Sequence, residues 1–261
     1  MVAGLIVAAL LPAPPAVADE ADEPAASWWR PRPVAGQTWQ WQLSGRLDLS
    51  VDAAVYDVDG VDTTAAQVAA LHRRGRRVVC YVSAGSYENW RPDRHRFPAA
   101  VLGRPLDGWA GERWLDIRRW DVLGPILRAR FEQCRSKGFD AVEPDNVDGY
   151  ANRSGFPLTA ADQLRFNRRV AALAHGLGLA VGLKNDVEQA AALAPAFDFA
   201  VNEECVAYDE CGALRVFVQA RKAVFHVEYA GSAAAFCPAV RRLGFTSMRK
   251  RPDLGAWRQP C

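Results

Sequence analysis

Several absences in this 261-residue chain narrow what it does. It has only four histidines, at no metal-ligand spacing, and no Cys-x-x-Cys pair, so a zinc centre is not expected. Its 32 Lys and Arg against 30 Asp and Glu leave a net charge of +2, and no basic run is interleaved with aromatics. A nucleic-acid partner is therefore not expected. No glycine-rich phosphate loop follows any strand-like run, which argues against a nucleotide-binding open sheet. There is no Gly-x-Ser-x-Gly turn and no histidine placed by motif to serve a serine nucleophile. The apolar stretch near the start breaks at Pro12, short of the roughly 20 residues a membrane span needs.

That stretch, VAGLIVAALLPAPPAVA, ends in Ala16-Val17-Ala18 before Asp19-Glu20. A short apolar segment with a small-x-small end predicts a signal peptide over residues 1–18, and hence a secreted protein with no membrane association after cleavage. Residues 19–36, acidic and then proline-rich, read as a linker. Six cysteines, an even number, agree with export and disulfides. Fifteen pairings are open to them. Short separation suits Cys205 with Cys211, and the terminal Cys261 suits Cys237, which leaves Cys80 with Cys134.

From residue 37 onward, short apolar runs alternate with helical ones. The strand candidates are TWQWQL, AAVYDVD, RVVCYVSAG, RWLDI, FDAVEPD, LAVGLKN, FDFAVNE, AVFHVEY and GFTSMRK. Continuous apolar runs of this kind suit buried parallel strands. TAADQLRFNRRVAALAHGLG carries a Thr159/Asp162 capping box and sets Phe166, Val170, Leu173 and Leu177 on one helical face. TTAAQVAALHRRG and residues 122–137 read as helices too. The alternation predicts an α/β chain folded as a (β/α)8 TIM-type barrel over residues 37–261. Nine strands for eight places leave one additional strand, and no helix separates TWQWQL from AAVYDVD.

Polar residues recur at the strand ends: Asp57 and Asp59, Ser83, Asp116, Asp145, Lys184 with Asn185, Glu203 with Glu204, and Glu228. In a barrel these ends meet on the face where active sites sit. A calcium loop in DNVDGY fails on register: with Gly149 as the invariant glycine, Pro144 and Gly155 take the first and last ligand positions. Magnesium bound by one or two strand-end carboxylates stays open. Glycoside hydrolysis needs two carboxyls held a few ångströms apart, which rigid strand ends supply. Trp39, Trp41, Trp90, Trp109 and Trp114 offer flat faces for sugar rings, or serve as packing.

WQWQL (39–43), YVSAGSYENWRPD (81–93), GERWLDIR (111–118), GFDAVEPDNVDGY (138–150), VGLKND (181–186), FAVNEEC (199–205) and VEY (227–229) together resemble glycoside hydrolase family 114, the endo-α-1,4-polygalactosaminidases. The resemblance runs in order from about residue 37 to the end. It implies a TIM-type barrel that cleaves α-1,4-linked galactosamine in a cationic polysaccharide, needing no cofactor or metal. It places the paired carboxylates on Asp145, taken as nucleophile, and Glu203, taken as general acid/base, with exchanged roles or Glu204 as alternatives. Asp57, Tyr81, Asp116, Asn146, Lys184, Asn185, Glu228 and Tyr229 become substrate-binding or orienting residues by the same resemblance. The expected partner is the polysaccharide, and the expected state is a monomer.

The residues also carry plainer readings. Asp140 and Asp198, each following Phe near a strand start, suit backbone bonding; Asp148 suits shaping the turn with Gly149. Asp116 suits pairing with Arg118 or Arg113 as well as it suits a site. His226, inside AVFHVEY, suits a core position. Two other functions fit the same pattern: a barrel of this kind acting on another α-linked polysaccharide, and a noncatalytic carbohydrate-binding barrel. Lys184 is expected to hold one carboxylate ionised, splitting the pair into nucleophile and acid.

Overall fold

A computed structural model describes Met1 and residues 28–261. The expected signal peptide falls outside the described residues. In chain order the elements are β1 (Trp39–Gln42), β2 (Val55–Asp59), α1 (Ala65–His72), β3 (Arg77–Ser83), β4 (Ser86–Glu88), β5 (Leu102–Pro105) and β6 (Glu112–Leu115). Then come α2 (Trp120–Lys137), β7 (Ala141–Asp145), α3 (Ala160–Gly176), β8 (Ala180–Lys184), α4 (Ala190–Leu193) and β9 (Phe199–Glu203). The chain closes with α5 (Arg215–Gln219), β10 (Val224–Glu228), α6 (Ala233–Arg242), β11 (Thr246–Arg249) and β12 (Gln259–Pro260).

Eight strands pair in parallel in the order β1-β2-β3-β7-β8-β9-β10-β11, and β12 adds to β11 antiparallel. The sheet curls into a nearly closed TIM-type barrel. The segment after β11 bridges the gap to β1: Leu43 N donates to Leu254 O at 3.0 Å, and Gln40 Nε2 to Ala256 O at 2.8 Å. The supernumerary strand of the sequence reading is RWLDI. It forms β6, the centre of a separate antiparallel sheet β4-β6-β5 inserted between β3 and α2. TWQWQL and AAVYDVD are true neighbouring staves, joined without a helix.

Strand alternation sorts every stave into two faces. Trp39 and Trp41, Val55, Val79, Ala141, Ala180, Phe199 and Val201, Phe225 and Val227 fill the barrel interior. Their neighbours in sequence, such as Val58, Val78, Val142, Leu183 and Val224, pack outward against the helices. Gly182 leaves room inside for Phe199, whose ring would lie 2.3 Å from an added Cβ. Helices begin where the caps predict: Thr64 and Thr159 each close a capping box, and Gly138 ends α2 in the left-handed region at φ 91°.

Asp140 and Asp198 tie neighbouring strands together at the opposite end from the cleft. Asp140 accepts from Val78 N at 2.8 Å and meets His72 Nε2 at 2.8 Å. Asp198 repeats the pattern with Val181 N at 3.0 Å and His175 Nε2 at 2.8 Å. Here the described part of the expected linker docks. Trp28 stacks on His175 at 4.2 Å and donates to Asp198, and Pro31 O accepts from Ala223 N. The three disulfides are Cys80–Cys134, Cys205–Cys211 and Cys237–Cys261. Among the described residues no helix is long and apolar enough to cross a membrane.

Candidate active site

Three adjacent staves, β7, β8 and β9, end in Asp145, Lys184 and Glu203, all on the inward face. Lys184 Nζ lies 2.9 Å from Asp145 Oδ1 and 2.9 Å from Glu203 Oε2. Those two oxygens are therefore separated by at most twice that distance. The ammonium occupies the point between these two carboxylates. A divalent cation has no place there while Lys184 holds it.

Each carboxylate has its own supports. Tyr81 OH donates to Asp145 Oδ2 at 2.8 Å, and Asn146 N donates to Asp145 Oδ1 at 2.8 Å. Tyr229 OH donates to Glu203 Oε1, Asn185 Nδ2 to Glu203 Oε2 at 3.2 Å, and Glu203 N returns a bond to Asn185 Oδ1 at 2.9 Å. The residue following each of the three staves lies in the left-handed region: Asn146 at φ 60°, Asn185 at 48° and Glu204 at 61°. Asn tolerates this conformation; for Glu204 it costs on the order of 1 kcal/mol, the kind of strain that clusters at functional sites. Gly85 completes the frame, because a Cβ there would come within 1.7 Å of Asn146 O.

One layer deeper sit two carboxyls on the same inward faces. Glu143 accepts from Trp41 Nε1 at 3.1 Å and lies 3.7 Å from Lys184 Nζ, while Asp57 finds no protein hydrogen bond of good geometry among the described residues. Burial pushes Asp57 up to about 7, against the Glu143 contact and the Lys184 charge. Burial and then the Asp57 charge push Glu143 well above the usual range. At the top, burial raises Asp145 too, but the Lys184 charge, its hydrogen bond and the Tyr81 donor prevail and hold it below the ordinary carboxylate value. Lys184 in turn is held well above an ordinary lysine, its desolvation outweighed by Asp145, Glu203 and Glu143.

These side chains floor a cleft of about 610 Å³. Of the sequence-predicted residues, Tyr81, Asp145, Asn146, Lys184, Asn185 and Glu203 line it. Asp57 lies beneath it, and Tyr229 reaches it through Glu203. Two do not join. Asp116 is bound bidentately by Arg118 at 2.7 and 2.8 Å, off the cleft wall. Glu228 has the wrong strand parity. It points outward, bonding His226 Nε2 at 2.9 Å and Val206 N at 2.9 Å, and so anchors the loop after Glu203 instead of touching substrate. Asp148, read as a turn residue, lines the cleft, where burial and the Asp145 charge raise it to about 6. Trp41, Trp90, Trp109 and Trp114 also line it, whereas Trp39 is core. Glu143 and Glu112 went unselected in the sequence, although Glu143 shares strand parity with Asp145. Cys205, Cys211 and His226 come within 4.8 Å of one another, but both sulfurs are in the disulfide, so they form no metal site.

The sequence profile of Glycoside-hydrolase family GH114 matches residues 18–261. The fold superposes on the Aspergillus fumigatus Ega3 complex with galactosamine at a TM-score of 0.83, with 39% identity over 89% of this chain and 97% of that one. The glycoside hydrolase domain of PelA from Pseudomonas aeruginosa shares the fold at a TM-score of 0.65, with 14% identity over 83% of this chain and 95% of that one. An uncharacterized protein of Deinococcus radiodurans is 26% identical over 82% of this chain and 79% of its own length.

Proposed function

This chain belongs to glycoside hydrolase family GH114, and from that premise we propose that it cleaves α-1,4-linked galactosamine inside a cationic polysaccharide, with Asp145 as nucleophile and Glu203 as general acid/base. The observation that carries the reading is the shared lysine: Asp145 and Glu203 each lie 2.9 Å from Lys184 Nζ. Two oxygens each 2.9 Å from one nitrogen are at most 5.8 Å apart (2.9 + 2.9), which favours the roughly 5–5.5 Å carboxyl spacing of retaining glycosidases.

Glu203 accepts from Lys184, Tyr229 and Asn185, so it first takes up a proton from water; Asp145, held ionised, then attacks the anomeric carbon as Glu203 passes that proton to the departing glycosidic oxygen. Glu203 then takes a proton from water, which releases the sugar from Asp145 with its configuration kept. The allocation follows exposure: the Glu203 side chain is 26% exposed against 17% for Asp145, so Glu203 is the better placed to exchange protons with water. The cationic substrate follows from charge. Nine carboxylate side chains line the cleft against four cationic ones, on a protein of net charge +2. An unacetylated amino sugar is thus drawn to the cleft and not to the surface at large. The galactosamine bound to Ega3, at 39% identity, supports the same sugar.

The test is to incubate the purified protein with de-N-acetylated α-1,4-polygalactosamine and follow reducing ends and product lengths. Internal cleavage gives mixed oligomers from the outset; no new reducing ends would end this reading. Asp145→Ala and Glu203→Ala are each expected to lose about 10³-fold or more in kcat. With an aryl α-galactosaminide, whose leaving group departs without a proton, azide restores turnover to both, giving the β-glycosyl azide with the first and the α-azide with the second; the reverse assignment exchanges the roles. We also read the protein as monomeric and as exported, and the three disulfides support the export. Recovery of reduced chain from the cell interior alone would contradict export, and a dimer mass in solution would contradict the monomer.

A further inference from the structure

The inserted sheet β4-β6-β5 is no part of the barrel, yet it supplies one whole wall of the cleft. On that wall Glu112 is 6% exposed. Its Oε2 accepts from Ser86 Oγ at 2.7 Å; its Oε1 has no hydrogen bond among the described residues and is not sealed from the cleft that Glu112 lines. No described cation pairs with it. The nearby Arg91 is taken up by Glu88 at 2.7 Å and Asp59 at 2.7 Å. Such a carboxyl is costly to ionise: burial, with the charges of Glu88 and Asp145 adding to it and Ser86 opposing, raises Glu112 to about 7. Asp140 and Asp116, by contrast, each carry an arginine partner. A buried carboxyl without a counter-charge either stays protonated or takes a cation from outside, and Glu112, unlike the sealed Asp57, has an oxygen open to the cleft to take one.

Its position is fixed relative to Asp145. Ser86 Oγ meets Ser83 Oγ at 2.5 Å, Asn146 Nδ2 donates to both at 3.0 and 3.2 Å, and Asn146 N donates to Asp145. Beside Glu112 stand two tryptophans that a buried core would hide. Trp90 is 50% exposed and Trp109 55% exposed, and both line the cleft; Glu112 N donates to Trp109 O at 3.2 Å. Flat aromatic faces beside an uncompensated carboxylate match a sugar ring that bears an ammonium.

We propose that Glu112 anchors the ammonium of an amino sugar in a subsite beside the scissile position, with Trp90 and Trp109 as the platforms for the neighbouring rings. The proposal rests on the amino-sugar reading of the substrate and adds the group that distinguishes a free amine from its N-acetyl form.

Binding to the slow variant Asp145→Asn separates the two ideas. Titrated with galactosamine oligosaccharides and with their N-acetylated counterparts, D145N is expected to prefer the free amines. Adding Glu112→Gln, which keeps an acceptor for Ser86 but removes the charge, weakens the free-amine oligomer by about tenfold or more and the acetylated one by less than about twofold. Equal losses for both sugars, or none, would make Glu112 a structural acceptor and overturn the proposal. If D145N binds neither sugar, the amino-sugar reading fails before Glu112 is touched, and the subsite falls with it. Trp90→Ala and Trp109→Ala, at exposed positions that do not hold the fold, are expected to weaken both oligomers alike; unchanged binding in both would remove the platforms whatever E112Q does to folding.

Discussion

Tyr81, on β3, donates its hydroxyl to Asp145, on the neighbouring β7, at 2.8 Å, from a ring that lines the cleft. The bond stabilises the carboxylate over the acid, one of several contacts that keep Asp145 low despite its burial. Tyr81→Phe removes a donor to the charged form, so the Asp145 pKa rises. The acid limb of the kcat/KM profile should therefore move to higher pH, with kcat lower by about tenfold. A pH–rate profile that drops in height without moving its acid limb would assign Tyr81 to substrate contact alone.

Among the described residues Lys184 is the one cation between the inward carboxyls Asp57, Glu143, Asp145 and Glu203, and it also lies 4.8 Å from the Trp41 ring centre. Lys184→Met leaves those carboxyls without a counter-charge. Breaking a buried pair of this kind costs about 3–5 kcal/mol. Acids left in that state have folded pKa values above their unfolded ones, so the loss is largest at neutral pH and shrinks as pH falls. Thermal melts of wild type and K184M should converge toward pH 4–5. A destabilisation independent of pH would point to lost packing instead.

Most of the barrel could be read from alternating apolar runs and helical segments, because parallel staves buried on both faces leave few polar interruptions. RWLDI escaped that logic. Its composition is that of a stave, but it pairs antiparallel in a sheet that only tertiary structure reveals. At the site, Asp145 and Glu203 were legible as acids at strand ends. Strand parity separates the rest: Glu143 faces the same way as Asp145, and Tyr229 faces inward where Glu228 faces out. Glu112 was not legible at all, since its role depends on where an inserted sheet leans.

Stability should be greatest on the acid side of neutrality. Burial raises Asp57, Glu112 and Asp186 to about 7 each and Asp148 to about 6. Each binds a proton more tightly folded than unfolded, so its contribution is full below about pH 4 and lost as pH rises through 6–7. Asp145 runs the other way, as do Asp48, Asp93, Asp121 and Asp162, but acids held low have finished titrating by about pH 5 and leave the range above it to the raised groups. The melting temperature should decline from about pH 5.5 to 8. Asp57→Asn, which cannot ionise, should flatten that decline and raise stability at pH 8 relative to wild type. A melting curve that rises across this range would mean the buried acids are solvated in a way their surroundings do not indicate.

The disulfides divide between fold and site. Cys80–Cys134 joins β3 to α2 across a sequence separation of 54, whereas Cys205–Cys211 closes a separation of 6 directly after Glu203. Loop-closure entropy assigns about 4 kcal/mol to the first and about 2 kcal/mol to the second. Activity should rank them in reverse. The short loop contains Val206, whose N–H is held by Glu228, and it follows the strained Glu204, so it fixes how β9 presents Glu203. Cys205→Ala/Cys211→Ala should lower the melting temperature only modestly yet cut kcat by about tenfold. Cys80→Ala/Cys134→Ala should melt far earlier, with turnover at low temperature close to normal. If the two double variants lose stability and turnover in the same proportion, the loop after β9 is a staple of the fold and has no part in holding Glu203.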